Sequence, residues 1–100
     1  MKIIWSEQAI EEVKEVYLYY KTVANIKVAK KIISEIFYAT RTIKKHTEIG
    51  RKEENKNVAG MGYRFLVSGN YKIVYRIIDL KTIFIATVFD CRQNTDKLNV

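Results

Sequence analysis

The sequence has no proline, one cysteine and one histidine among its 100 residues. A single cysteine excludes an internal disulfide and fits a reducing cytoplasm. One histidine and one cysteine do not supply the usual ligands of a zinc site, so no metal and no cofactor is expected. Because proline is absent, the ends of helices and strands must be located from glycine, asparagine and charge.

Long hydrophobic runs are also missing. No apolar stretch approaches the ~18 residues of a transmembrane helix, and the apolar part of the N-terminus is too short for a signal peptide. Hydrophobic residues make up 48% of the chain and charged residues 29%, which is typical of a folded soluble protein. A chain of this length supports one core, so we expect a single domain over residues 1–100 and no membrane partner.

Negative charge is scarce, with 11 Asp and Glu against 18 Lys and Arg and a net charge of +7. Acidic residues cluster between Glu7 and Glu15, where a helix dipole would explain them. The middle of the chain is basic without such a local explanation. Its cations are Lys27, Lys30, Lys31, Arg41, Lys44, Lys45, Arg51 and Lys52. This excess predicts an anionic partner, with plain solubility as the alternative.

Two amphipathic helices are predicted in the first half of the chain. Ser6 is a good N-cap, and apolar residues then recur every three or four positions to about Val23. Asn25 can cap a second helix, whose apolar stripe runs from Ala29 to Ile43. The very short connection between the two helices predicts an antiparallel hairpin.

The apolar period changes to two after a polar, glycine-containing loop from His46 to Met61. Three segments rich in aromatic and β-branched residues follow, namely Tyr63–Ser68, Tyr71–Asp79 and Thr82–Asp90. Hairpin-length turns separate them, which predicts an antiparallel meander. With a short strand at Lys2–Trp5, the predicted order is β-α-α-β-β-β. The predicted fold class is α+β, with the helix pair on one face of the sheet.

The two faces of the predicted strand Tyr71–Asp79 differ in composition. One face suits a position under the helices and carries Tyr71, Ile73, Tyr75 and Ile77. The other mixes cations with apolar groups and carries Lys72, Val74, Arg76 and Ile78. Arg64 and Leu66 show the same mixture in the preceding strand. This pattern fits either a binding surface or a solvated face covered by Lys and Arg stems.

Several motifs resemble the RelE/ParE superfamily of toxins from type II toxin–antitoxin systems. They are the opening IIWSEQA, Tyr19-Tyr20, Ala29, Gly50-Arg51, the run YRFLV from Tyr63, GNYKIVYRI at Gly69–Ile77 and VFDCRQN at Val88–Asn94. The resemblance covers nearly the whole chain. It implies a toxin domain of the RelE/ParE-like fold, in a small basic cytoplasmic protein that a cognate antitoxin neutralises.

The resemblance leaves two targets open. The RelE-like branch cleaves messenger RNA on the ribosome, whereas the ParE-like branch poisons DNA gyrase. By resemblance, Arg64, Lys72 and Arg92 fall near the basic catalytic positions of the RelE-like branch, where they could stabilise a dianionic transition state. The C-terminal Tyr or His that often acts as acid or base in that branch is not evident. The interpretation therefore favours a ParE-like toxin that is not an enzyme, with the messenger RNA endoribonuclease as the alternative.

Partner binding is expected on the mixed sheet face and at the end of the last strand. The candidate residues are Arg64, Lys72, Arg76, Asp90, Arg92 and Gln93, with Asp90 orienting Arg92. We also expect a segment of the antitoxin to cover apolar residues between Lys72, Arg76 and Arg92. The implied function is growth inhibition within a plasmid-stabilisation module. A non-catalytic basic binding module and an inactive relative that only binds an antitoxin are alternatives of another class.

Overall fold

The computed structural model describes residues 1–100 and contains two helices and five strands. The elements are β1 (Lys2–Trp5), α1 (Glu7–Val23), α2 (Ile26–Lys45), β2 (Arg51–Lys52), β3 (Arg64–Ser68), β4 (Tyr71–Asp79), β5 (Thr82–Asp90) and a 3₁₀ turn at Thr95–Lys97. The predicted α+β class and the order of the predicted elements are confirmed. Strand β2 is an addition, because a two-residue strand carries no period for a sequence pattern to reveal.

The strands form one sheet in the order β1-β5-β4-β3-β2. Strand β1 runs parallel to β5, and the remaining neighbours are antiparallel. The predicted meander therefore forms the centre of the sheet, and β1 lies at one edge beside β5. The helical hairpin connects β1 at this edge to β2 at the opposite edge.

Both helices begin at the predicted capping residues. The Ser6 hydroxyl accepts a hydrogen bond from the Ala9 amide at 2.9 Å, and the Asn25 side chain accepts one from the Val28 amide at 2.9 Å. Only Ala24 and Asn25 separate α1 from α2, which makes the hairpin antiparallel. No helix is long and apolar enough to cross a membrane.

The main core lies between the helical hairpin and one face of the sheet. It contains Ala9, Val16, Ile36, Ala39, Ile43, Tyr71, Ile73, Tyr75, Ile83, Ile85 and Val88. Three of the four residues predicted for the helix-facing side of β4 belong to it. The strand period therefore identified this face correctly.

A second, smaller core covers the opposite face of the sheet. Val58 and Leu98 pack there against sheet residues, of which Val74 is fully buried. The full set is Val58, Tyr63, Val74, Ala86, Phe89 and Leu98. The loop before β3 and the C-terminal segment thus cover the face that the sequence pattern left open. The expectation that an antitoxin segment covers exposed apolar residues on this face is wrong, because the chain's own residues bury them.

The loop after α2 is held close to the sheet at Gly50. The Tyr75 hydroxyl donates to the Thr47 carbonyl oxygen at 2.8 Å and accepts from the Gly50 amide at 2.9 Å. A Cβ at position 50 would lie 2.6 Å from the Tyr75 hydroxyl oxygen and 2.7 Å from the Phe65 carbonyl oxygen. Position 50 therefore requires glycine because of close approach.

Candidate functional site

A cleft of about 520 Å³ lies between α1, the C-terminal half of β5 and the segment that follows β5. Its lining residues are Glu12, Glu15, Val16, Tyr19, Tyr71, Val88, Phe89, Asp90, Arg92, Gln93 and Lys97. The cleft thus combines acidic, basic and aromatic side chains. It contains three of the residues predicted to bind a partner, which are Asp90, Arg92 and Gln93.

The cleft exists because β1 is shorter than β5. Strand β1 pairs with β5 only as far as Ile85, so the outer edge of β5 has no strand neighbour beyond that point. A bulge at Ala86 interrupts the pairing of β4 with β5 at the same place, since Val74 faces Thr87 and Tyr75 faces Ile85. The Ser6 hydroxyl donates to the Ala86 carbonyl oxygen at 2.7 Å, which ties the start of α1 to the bulge.

Glu12 replaces the missing strand partner at this edge. Its carboxylate accepts a hydrogen bond from the Val88 amide at 3.0 Å and one from the Thr87 hydroxyl, whose oxygen lies 2.7 and 2.9 Å from the two carboxylate oxygens. Burial raises the pKa of Glu12, and these hydrogen bonds offset part of the increase. The helix dipole therefore does not fully account for the acidic start of α1, since Glu12 also bonds to the sheet.

Asp90 and Arg92 form a bidentate ion pair at the end of β5. Arg92 Nε donates to Asp90 Oδ1 at 3.0 Å, and Arg92 Nη2 donates to Asp90 Oδ2 at 2.9 Å. The Arg92 amide also donates to Asp90 Oδ1, at 2.9 Å. The Arg92 guanidinium holds the pKa of Asp90 below its usual range, and Asp90 raises the pKa of Arg92. Asp90 orients Arg92 as the sequence predicted, while about half of the Arg92 side chain stays exposed.

Tyr71 lines the cleft, and Tyr20 lies beside both Tyr71 and Arg92. Interaction with the Tyr71 hydroxyl lowers the pKa of Tyr20, and burial raises the pKa of Tyr71. Arg92 Nη2 lies 3.5 Å from the Tyr20 hydroxyl oxygen.

No group of three or more His, Cys, Asp or Glu side chains is arranged to hold a metal ion.

Lys72 and Arg76 lie on the other face of the sheet. Lys72 Nζ forms an ion pair with Glu53 Oε2 at 2.9 Å and lies 4.4 Å from the Phe65 ring centroid. Both charged groups are largely buried, since the side chains of Lys72 and Glu53 are 17% and 4% exposed. The Arg76 guanidinium lies over the Tyr63 ring, 5.2 Å from its centroid. These contacts belong to the second core.

Arg64 occupies a third place, at the start of β3. It pairs with Tyr75 across the sheet, so its side chain lies on the helix-facing side. Arg64 Nη1 donates to the Gly50 carbonyl oxygen at 2.9 Å and lies 3.4 Å from the Glu48 carbonyl oxygen. The structure therefore brings Asp90, Arg92 and Gln93 together and keeps Arg64, Lys72 and Arg76 apart from them.

The sequence interpretation missed the contribution of α1 to the cleft. Glu12 was attributed to the helix dipole alone. The available signal was the position of Glu12, one turn before Val16, at the border of the apolar stripe. That position places a carboxylate beside the sheet, but its partners on β5 lie 75 and 76 residues away in sequence.

Comparisons with known proteins agree with this fold and connectivity. Residues 3–95 match the family model described as the ParE toxin of the type II toxin–antitoxin system parDE. A solved structure of the chromosomal ParDE toxin–antitoxin system from P. aeruginosa aligns with a TM-score of 0.75. It is 19% identical in sequence, and the alignment covers 90% of this chain and 95% of that chain. No curated protein matches the sequence.

The family match covers almost the whole chain, from β1 to the 3₁₀ turn after β5. The structural likeness independently supports the fold, although its sequence identity is too low to support more. Membership of a toxin–antitoxin family also supports a cognate antitoxin as a partner. The chain belongs to the ParE toxin family and is the toxin component of a type II toxin–antitoxin system.

Proposed function

We propose that this toxin inhibits growth by poisoning DNA gyrase in the cytoplasm, and that a cognate antitoxin neutralises it within a plasmid-stabilisation module. Gyrase is the target that the ParE resemblance implies. The alternative is cleavage of messenger RNA on the ribosome, which requires cations and a proton-transfer group to converge on one phosphate. The arrangement of the basic residues favours the first proposal.

The observation that carries this proposal is the separation of Arg64, Lys72 and Arg92. Arg64 bonds to loop carbonyl groups at the start of β3, and Lys72 is paired with Glu53 on the opposite face of the sheet. Arg92 lies in the cleft beside α1, where Asp90 already offsets its charge. A transition state at any one of these places would meet only one of the three cations. The geometry therefore supports a toxin that acts by binding.

Arg92 is the residue that we expect to contact the target. Asp90 holds its Nε and Nη2 groups, and Nη1 makes no hydrogen bond within the chain. The free edge of the guanidinium is thus fixed in direction and half-exposed, which suits a carboxylate or phosphate of a partner. Lysine at this position would keep the charge but lose the bidentate geometry.

Purified toxin and gyrase provide the direct test. We expect the toxin to inhibit supercoiling and to increase the amount of DNA trapped as cleaved gyrase complex. Arg92→Ala should reduce both effects at least ~10-fold, and Arg92→Lys should recover only part of the loss. Lys81→Ala, a change at an exposed turn far from the cleft, is the control and should act like the parent.

Two other results would contradict the proposal. Cuts in ribosome-bound messenger RNA without trapped gyrase complexes would establish the nuclease alternative. Unaffected growth after induced expression, with folded toxin present in the cells, would instead favour an inactive relative or a plain binding module.

A further inference from the structure

Helix α2 has the largest net positive charge of any element of the fold. Six cations and one anion, Glu35, give it a net charge of +5, against +7 for the whole chain. Its cations are Lys27, Lys30, Lys31, Arg41, Lys44 and Lys45. Helix α1 contains four glutamates and two lysines and has a net charge of −2. The residues outside the two helices carry the remaining +4, so positive charge is densest on α2.

Most of these cations lie along a single line, here called the α2 stripe. It consists of Lys27, Lys31, Ser34, Tyr38, Arg41 and Lys45, which follow one another at alternating intervals of four and three residues. At 1.5 Å per residue the α2 stripe is about 27 Å long. It lies on the helix face opposite the buried residues Ala29, Ile36 and Ile43. The Tyr38 side chain is 66% exposed, with the Arg41 guanidinium over its ring.

The charge of α2 is not neutralised inside the protein. The four ion pairs of the structure are Lys14–Glu11, Lys56–Asp96, Lys72–Glu53 and Arg92–Asp90, and none involves α2. Lys27 and Lys31 are like charges four residues apart, and so are Arg41 and Lys45. Such pairs of like charges on neighbouring turns destabilise a helix. A helix face that served only solubility would avoid this repulsion by alternating positive and negative side chains.

We propose that the α2 stripe binds the phosphate backbone of double-stranded DNA without reading its sequence. Lys, Arg, Ser and Tyr are side chains that contact phosphate oxygens, and they account for every position of the stripe. The two stripe cations near the start of α2 and the two near its end are centred about 21 Å apart. Side chains extending from both clusters can therefore reach phosphates on the two sides of a major groove, which is about 12 Å wide.

An acidic peptide fits the same surface less well. Peptides that dock on a helix face use apolar anchors in a groove. A groove of about 570 Å³ beside the α2 stripe has Leu66 and Val67 in its lining, but along the stripe it extends only from Lys31 to Arg41. The cations of the stripe continue beyond it to Lys27 and Lys45. Phosphate binding needs only cations and hydroxyl donors at the observed spacing. The inference goes beyond the proposed function and does not depend on gyrase, since it concerns the isolated toxin and naked DNA.

The experiment measures binding of purified toxin to two short fluorescent duplexes of unrelated sequence by anisotropy, between about 50 and 200 mM salt. We expect equal affinities for the two duplexes and a strong decrease in affinity with salt. The triple variant Lys27→Gln, Lys31→Gln, Lys45→Gln should lower the slope of log affinity against log salt by up to ~2.7, because each phosphate contact contributes about 0.9.

A matched variant separates the position of the charge from its amount. Lys2→Gln, Lys52→Gln, Lys81→Gln removes the same net charge from exposed, unpaired lysines outside α2 and should keep the parent slope. The variant Lys27→Arg, Lys31→Arg, Lys45→Arg keeps the charge and should also bind as the parent does. Equal losses in the two glutamine variants would overturn the proposal in favour of a net-charge effect. Binding of polyglutamate through α2, with no binding of duplex DNA, would overturn it in favour of an acidic protein partner.

Discussion

Glu12 is a half-buried carboxylate whose partners are backbone and hydroxyl groups rather than a cation. It accepts from the Val88 amide and the Thr87 hydroxyl, which would otherwise be unpaired at the edge of β5. An unpaired buried donor costs about 1–3 kcal/mol, so these bonds compensate for part of the cost of burying the charge. The raised pKa of Glu12 indicates that burial outweighs the hydrogen bonds when the group ionises.

We predict a specific pH dependence for Glu12→Gln. Because the folded-state pKa of Glu12 is raised above its ordinary value of 4.5, its stabilising contribution is complete below that value and decreases as pH rises through the folded-state pKa. Glutamine does not titrate. The free energy of unfolding of the parent, minus that of the variant, should therefore decrease as pH rises above 4.5.

Urea titrations at several pH values would measure this difference. Glu7→Gln, which removes an exposed carboxylate from the first turn of the same helix, controls for the loss of one negative charge from α1. If the free energy of unfolding of the parent, minus that of Glu12→Gln, increased with pH, the hydrogen bonds from Thr87 and Val88 would outweigh the cost of burying the charged carboxylate.

At the scale of elements, the C-terminal segment acts as part of the sheet's second layer. Leu98 is fully buried against Val74 and Phe89, although it lies beyond the last strand. Asn57 Nδ2 donates to the carbonyl oxygens of Asp96 and Leu98, and Asn55 Nδ2 donates to that of Thr95. The loop before β3 thus fixes the segment that covers β4 and β5.

We predict that Leu98→Ala destabilises the toxin by about 2–5 kcal/mol, the usual cost of removing a buried leucine side chain. Leu80→Ala is the matched control, because Leu80 is 94% exposed in the turn between β4 and β5. It should change the free energy of unfolding by less than about 0.5 kcal/mol. Equal effects of the two changes, measured by chemical denaturation, would show that the C-terminal segment is not packed on the sheet.

At the scale of the whole molecule, the two cores share the same two strands. Ile73 and Ile85 point to the helices, whereas their neighbours Val74 and Ala86 point to the second core. If β4 and β5 unfolded, both cores would be exposed to solvent. The sheet should therefore couple the helical hairpin to the C-terminal segment in one cooperative transition.

Trp5 provides the test of this coupling. It packs edge-on against Phe37, with ring centroids 5.6 Å apart, on the helix side of the sheet. We predict that Leu98→Ala lowers the denaturation midpoint seen by Trp5 fluorescence as much as the midpoint seen by far-ultraviolet circular dichroism. An unchanged Trp5 midpoint would mean that the second core unfolds independently.

The sequence by itself determined both helices, the four longer strands and their order. Caps at Ser6 and Asn25, apolar periods of three to four and then two, and the bounds of β4 and β5 follow from interactions between residues close in sequence. Its motifs also indicated the toxin family, which the family match confirmed. Of the candidate site, the grouping of Asp90 with Arg92 was predictable, because the two are only two residues apart.

Only the tertiary structure decided which residues surround Asp90 and Arg92 and which surfaces stay open to solvent. The pairing of β1 with β5, the bond from Ser6 to Ala86 and the contact of Glu12 with Thr87 join residues 75 or more positions apart. No local period encodes such contacts. For the same reason the pattern on β4 could not reveal that Glu53 neutralises Lys72 or that Leu98 covers Val74. Side chains distant in sequence turned an apparent binding face into a second core and left the cleft beside Arg92 open.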